Sequence, residues 1–319
     1  MAPPTGKPTM PHVLTTAWFP FFFAAAFSLM FLLSFAQPSA HGITLATPQS
    51  SAASLQNALN SIEPGGFHIQ TYSDASAATH AVTTGDAAGA FIPAGSGSSE
   101  LLTSSASSST RAEFLDTLFT HDVAPQLNTK ITVHDIAPVA AGDVSGTGLF
   151  FYAMPLLLVG LITSIVLLQL GGWRLRNKLG LIASAGAFAS LFTYFFATAK
   201  DVIPSSPMLL LYGFILTQAI GWLTTAAAIL FKRAFLPTVM TFVLILGIPT
   251  SGGTVNSDML PAFMRWLNSI LPFAQFVDIT RSSAYFNNHG ISQPLAILLV
   301  WALTGAAVIA FATRRKAKA

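Results

Sequence analysis

Apolar residues run in long unbroken blocks over most of this chain, and in short alternating or helically spaced sets over one segment. Five blocks contain no charge over the length of a membrane crossing, at 17–36, 149–170, 179–199, 208–231 and 294–313. A hydrocarbon core of about 30 Å takes roughly 20 residues of helix. Backbone groups in lipid must bond within their own segment, so each block is predicted to be a transmembrane helix. A sixth uncharged block, 234–250, is shorter and follows the basic pair Lys232 and Arg233. The block at 179–199 carries small residues (Ala183, Ser184, Gly186, Ala187, Ser190) that let neighbouring helices approach closely.

Only residues 38–147 have the pattern of a segment that folds in water. A strand is predicted at 43–46, and a helix at 51–62 with Leu55, Ala58, Leu59 and Ile62 at helical spacing. Residues 67–72 alternate as a half-buried strand, 74–84 read as a helix with Asp74 as its cap, and 88–93 as a short strand. From 95 to 110 the chain is Gly- and Ser-rich and is predicted to be a flexible loop. A helix at 111–127 and a strand at 131–136 follow. Strands alternating with helices imply a small α/β unit with a partly parallel sheet. The predicted fold class is therefore an α-helical polytopic membrane protein of about six transmembrane helices, with a small extracytoplasmic α/β domain inserted between helices 1 and 2. Its parts are 1–37 (N-terminus and first helix), 38–147 (α/β domain) and 148–319 (five helices, a hairpin at 251–293 and a basic C-terminus).

Composition agrees: 52% of residues are hydrophobic and 8% charged, against about 25% charged in a soluble domain. The net charge of +3 comes from small basic groups beside the apolar blocks, with no basic stripe among aromatics, which argues against nucleic acid. Those groups set an orientation. Lys7, then Arg174, Arg176 and Lys178, then Lys232 and Arg233, then Arg314, Arg315, Lys316 and Lys318 fall in one set of alternate gaps. Arg111, Lys130, Lys200, Arg265 and Arg281 fall in the other, with all 12 acids. With six crossings both termini are cytoplasmic, in the plasma membrane. The first block can also be read as a signal peptide cleaved in the 36–40 stretch, although its length favours a retained anchor.

The absence of Cys excludes thiolate metal sites and thiol nucleophiles. No phosphate loop, dinucleotide fingerprint, zinc-protease motif or serine elbow is present, so no catalytic, cofactor or metal site is expected. The 7 His are scattered, and they read as solvated side chains. No ionisable residue lies inside a predicted crossing, which argues against a proton-coupled carrier. Gln169, Gln218 and several Thr remain for a polar pathway.

The stretch after the fifth crossing is the most informative. GIPTSGG at 247–253 ends the helix with residues of unusual backbone freedom. A capped helix is predicted at 257–271, broken at Pro272, and a second at 273–286. Both are short and apolar, and are expected to lie at, or dip into, the outer leaflet with Trp266 and Tyr285 near headgroup depth. Gly247, Pro249, Ser251, Gly252, Gly253, Leu260, Pro261, Leu271, Pro272, Arg281, Tyr285 and Phe286 form a pattern that resembles the type-2 ABC exporter permease superfamily, in its phage-infection-protein-like branch. The DIAPVAAGDVSGTG run before the second crossing is similar to that branch's exit from its outer domain.

The resemblance implies a non-enzymatic permease subunit, working as a homodimer or heterodimer, that moves an amphipathic or lipid-linked molecule outward. A separate cytoplasmic ATPase would drive it through the loop bearing Trp173, Arg174, Arg176 and Lys178; by charge alone this loop is also a simple positive-inside anchor. Gly247, Pro249, Ser251, Gly252, Gly253, Leu260, Pro261, Arg265, Pro272, Arg281 and Tyr285 are the candidate outer gate; the bland alternative is a plug on the bundle. The branch often lacks an evident ATPase, which keeps open a second reading, a non-transporting receptor or secretion scaffold acting through the outer domain.

Overall fold

The computed structural model describes residues 10–35, 39–95, 97–170 and 172–318. Lys7, Gly171 and the 36–38 part of the candidate cleavage stretch lie outside the described residues, as do the side chains of Arg233, Arg315, Lys316 and Lys318. Among the described residues, 5 helices are long and apolar enough to cross a membrane. They lie in α1 (Met10–Phe35), α6 (Gly148–Gln169), α7 (Leu175–Ala199), α8 (Met208–Phe231) and α12 (Ser292–Lys318). The chain is a multi-pass membrane protein with a small α/β sheet unit.

The block at 234–250 is not one regular helix. It breaks into a 3-10 turn (Lys232–Ala234), α9 (Phe235–Met240) and a π stretch (Thr241–Gly247). Its apolar part, Phe235–Gly247, is about 20 Å long, short of a 30 Å core. Pro237 lies within this part and Pro249 just beyond it, and neither offers an N–H to a regular ladder.

The bundle core brings together α6, α7, α8, α12 and α11 (Pro272–Tyr285). Small residues set the closest crossings. A Cβ on Gly160 would stand 2.7 Å from the Thr217 carbonyl, and one on Gly186 2.3 Å from Thr217 Oγ1. Of the small-residue face expected on α7, Gly186 makes this approach to Thr217 and Ser190 Oγ would stand 2.9 Å from a Cβ on Gly213, whereas Ser184 is exposed. On α1 the rings of Phe19, Phe23, Phe27, Phe31 and Phe35 follow one another at helical spacing, with centroids 4.2–6.0 Å apart.

The sheet has five strands in the order β2-β1-β3-β4-β5: β1 (Ile43–Pro48), β2 (Phe67–Tyr72), β3 (Gly89–Gly95), β4 (Ser98–Thr103) and β5 (Lys130–Asp135). Pairing is parallel except between β3 and β4. α2 (Ala52–Ile62) and α4 (Ser109–Leu118) share one core with β1, while α3 (Ala75–Thr84) packs on the other face through Ala78, Ala81 and Val82. Asp74 caps α3, accepting from the Ala77 N–H at 2.8 Å. The Gly/Ser stretch predicted as a loop contains β4: Leu101 pairs with Phe91 and Leu102 with Ala90, and both leucines are buried. The helix predicted at 111–127 changes pitch after α4, passing through a π turn (Phe119–Val123) into α5 (Ala124–Gln126). Pro125 explains the change, since its ring clashes with the carbonyl a regular turn would place beneath it.

Candidate functional site

The core of the sheet unit does not close on itself. Ile43, Leu45, Leu55 and Leu115 share one cluster with Met30 of α1, Ile245, and Val255, Met259, Leu260 and Met264 of the hairpin. The candidate site grows from this seam.

Its base is the turn after the broken helix. Gly252 has φ +73, a region glycine enters at little cost, and its carbonyl accepts from Arg281 Nη2 at 2.6 Å. Arg281 Nη1 donates to Asp278 Oδ1 at 2.9 Å. Asn268 Nδ2 donates to the Thr250 carbonyl (2.8 Å) and Gln275 Nε2 to the Asn268 carbonyl (2.7 Å), tying α10 (Ala262–Ile270) to the turn and to α11. From α1, Ser34 Oγ donates to the Pro249 carbonyl at 3.1 Å. Ser251 Oγ accepts from the Gly253 N–H at 3.3 Å, and Gly253 is pressed on Phe150, where a Cβ would stand 2.7 Å from the ring.

Across the seam, Arg111 of α4 pairs with Asp258 and donates to Ser107 Oγ at 2.5 Å. Arg265 Nη1 donates to the His41 carbonyl at 2.8 Å, and the His41 N–H donates to the Asp258 carbonyl at 2.9 Å. Thr110 Oγ1 donates to the Thr254 carbonyl at 3.0 Å, and the Ala140 N–H to the Tyr285 hydroxyl at 3.2 Å. At the rim, His289 Nε2 stands 3.0 Å from Asp86 Oδ1. Between the two faces lies a cavity of about 360 Å³ lined by Arg111, Asp258, Asp278, Arg281, Asp86 and His289 among others.

Electrostatics follow from this enclosure. Burial pushes the Asp278 carboxyl above the ordinary carboxylate range, with the neighbouring Arg281 charge pulling the other way. The part of Asp278 that is not covered by protein faces the cavity. Burial also lowers Arg281, yet a partnered guanidinium stays charged. Burial raises the Tyr285 hydroxyl, the Ala140 N–H opposing it and the charges of Asp143 and Asp201 adding to it. Among the described residues no group of three or more His, Asp or Glu side chains converges as a metal site would need.

Of the residues singled out in the sequence, Gly252, Arg281 and Asp278's helix come together at the turn; Gly247, Leu260 and Pro272 are buried behind them. Pro261 precedes α10 and breaks the helix expected at 257–271, leaving only a 3-10 turn at Ser257–Met259 before it. α11 is enclosed by the bundle, with Phe273, Phe276 and Val277 in its core, and Tyr285 turns to the 140 linker. Only α10 keeps an exposed apolar face, at Phe263 and Trp266. Trp173, Arg174 and Arg176 are exposed at the other end of α6, about 33 Å along the helix from Gly148.

The sequence reading missed Arg111, Asp258 and the Asp86–His289 pair as parts of one site. Arg111 and Asp258 are 147 positions apart, and neither sits in a motif. Comparisons with protein-family models, with curated proteins and with solved structures find no match to this chain.

Proposed function

We propose that the chain is a permease subunit of an ABC-type exporter, moving an amphipathic or lipid-linked molecule outward across the plasma membrane with force from a separate ATPase. In this reading Phe235–Gly247 with its flanks makes a sixth, short crossing, the basic gaps and both termini face the cytoplasm, and the sheet unit lies outside. The subunit works as a homodimer or heterodimer, and the loop bearing Trp173, Arg174, Arg176 and Lys178 receives the ATPase. The hairpin is the outer gate.

One observation carries the reading: Arg281 holds the carbonyl of Gly252, 29 positions away, so the Gly- and Pro-rich turn is tied to the buried helix α11. Hinges of this composition suit a gate. The test is purification of the full chain in mild detergent. A cytoplasmic ATPase is expected to copurify, to be lost at least tenfold on Arg174→Glu with Arg176→Glu, and to remain with Arg281→Ala. Recovery of the wild-type chain without any ATPase would overturn the proposal.

The shared core and the polar cavity at the seam also favour a second reading, a receptor or secretion scaffold whose sheet unit captures a protein. It predicts that a protein ligand binds the full chain equally well after Arg281→Ala, and that no ATPase is recovered.

A further inference from the structure

We propose that the groove between α8, α12 and the broken stretch at 232–247 holds one acyl chain of an anionic phospholipid, with the headgroup at Lys232 and Arg314. The groove has a volume of about 290 Å³, and its lining includes Ile220, Ala227 and Phe231 of α8, Val239 of α9, Phe242 of the π stretch and Thr304 of α12. It spans the point where the sixth apolar block changes from α to π pitch, so α8 and α12 lack a regular neighbour along that edge.

The wall selects hydrocarbon. Thr238 Oγ1 donates to the Ala234 carbonyl at 2.8 Å, Thr304 Oγ1 to the Val300 carbonyl at 2.7 Å and Trp301 Nε1 to the Ile270 carbonyl at 2.7 Å, so these donors are spent within the protein. Thr224 Oγ1 is buried out of reach. What remains for a ligand is mainly methyl, methylene and ring surface, which favours an apolar occupant. From Ile220 to Phe231 the groove runs about 16 Å along α8, about half of a 30 Å core. A helix about 10 Å across would need roughly 1,200 Å³ over that length, so the space suits a single chain and not a helix of a second copy.

Charge at one end names the headgroup. α8 and α12 both start beside α11, where Ser206 Oγ stands 2.9 Å from Ser283 Oγ, and they run in the same direction. They cross where a Cβ on Gly305 would stand 2.9 Å from the Leu223 nitrogen. Lys232 and Arg314 each lie nine residues past that crossing, about 13 Å on, so both reach one level. Both are exposed, and neither has an ion-pair partner among the described residues. Arg233 and Arg315 follow them directly in sequence, and no acid occurs at 202–257 or after 278. Basic groups at a pocket between transmembrane helices recognise anionic headgroups. A second apolar groove, of about 630 Å³ between α6 and α7, reaches Ala197 and Val202 with Lys200 and Asp201 between them, so its end carries no net charge. The site needs no ATPase partner, so its test and the copurification test fail separately.

The full chain in mild detergent is titrated with three probes: dioleoyl phosphatidylglycerol, dioleoyl phosphatidylcholine and glycerol 3-phosphate. Thermal unfolding and native mass spectrometry are read for each. Phosphatidylglycerol is expected to stay bound at one per chain and to raise Tm, phosphatidylcholine to bind at least tenfold more weakly, and glycerol 3-phosphate not to bind. Lys232→Gln with Arg314→Gln is expected to bring the two lipids within about twofold, whereas Lys200→Gln leaves the preference intact. Ala227→Phe fills the groove and is expected to weaken phosphatidylglycerol binding at least tenfold. The exposed charge pair keeps the test decisive even if Ala227→Phe folds poorly. Equal binding of the two lipids by the natural chain, or a preference that survives the double substitution, overturns the proposal.

Discussion

Arg111 is 7% exposed, and both terminal nitrogens of its guanidinium are engaged. Substituting Arg111→Ala leaves Asp258 enclosed without its cation, a change that costs about 3 kcal/mol in buried pairs. The loss is expected to be local: hydrogen exchange should quicken in α4 and around Asp258 while α6 and α8 stay protected. Unchanged exchange on both sides of the seam would contradict this account. Arg265 makes one bond to the His41 carbonyl, and its buried Nε has no partner, so Arg265→Lys is expected to cost less than Arg111→Lys in the same unfolding measurement. Of these side chains the sequence marks Arg265 and Arg281, because they interrupt apolar helices. Arg111 begins an ordinary amphipathic helix, and nothing near it in sequence announces burial.

Helix ends and helix crossings give separate tests. Hydrogen bonds from the Ala77 N–H and from Ser73 hold the Asp74 carboxyl below its ordinary range. A depressed folded pKa means the cap's stabilisation is present above the unfolded value, about 3.9, and is lost as pH falls through the folded one. The amide resonance of Ala77 should therefore titrate with a midpoint below that of a free aspartate, and should stop titrating in Asp74→Ala. In the bundle, Gly160→Ala pushes a methyl against the Thr217 backbone carbonyl, which has no rotamer to yield. A loss of about 1–3 kcal/mol in detergent unfolding is expected. Gly180→Ala on α7 meets open space and is expected to be neutral or stabilising. The long helices and the Asp74-capped helix were readable because their signals are contiguous. β4 was not, since two leucines in a Ser-rich run have no period, and only pairing with Phe91 and Ala90 makes them a strand.

For the molecule as a whole, the expected arrangement puts the 172–178 loop and the C-terminus on one side and the sheet unit on the other. The natural chain has 0 Cys, so single cysteines report cleanly. Cysteine at position 173 or 318 should react with an impermeant maleimide only in inverted vesicles, and cysteine at position 128 only in intact cells. Opposite labelling of positions 173 and 318 would refute the arrangement. Membrane character and the α/β nature of the 38–147 segment could be told from the residues in order, because lipid and water act on each stretch separately and leave their periods in it. The joining of that segment to the hairpin could not. Leu260 in one core with Leu45, Arg111 on Asp258 and Arg281 on Gly252 are meetings between distant stretches. An apolar face encodes that it will be covered, but not by which partner, and the choice is made only when all the faces pack together.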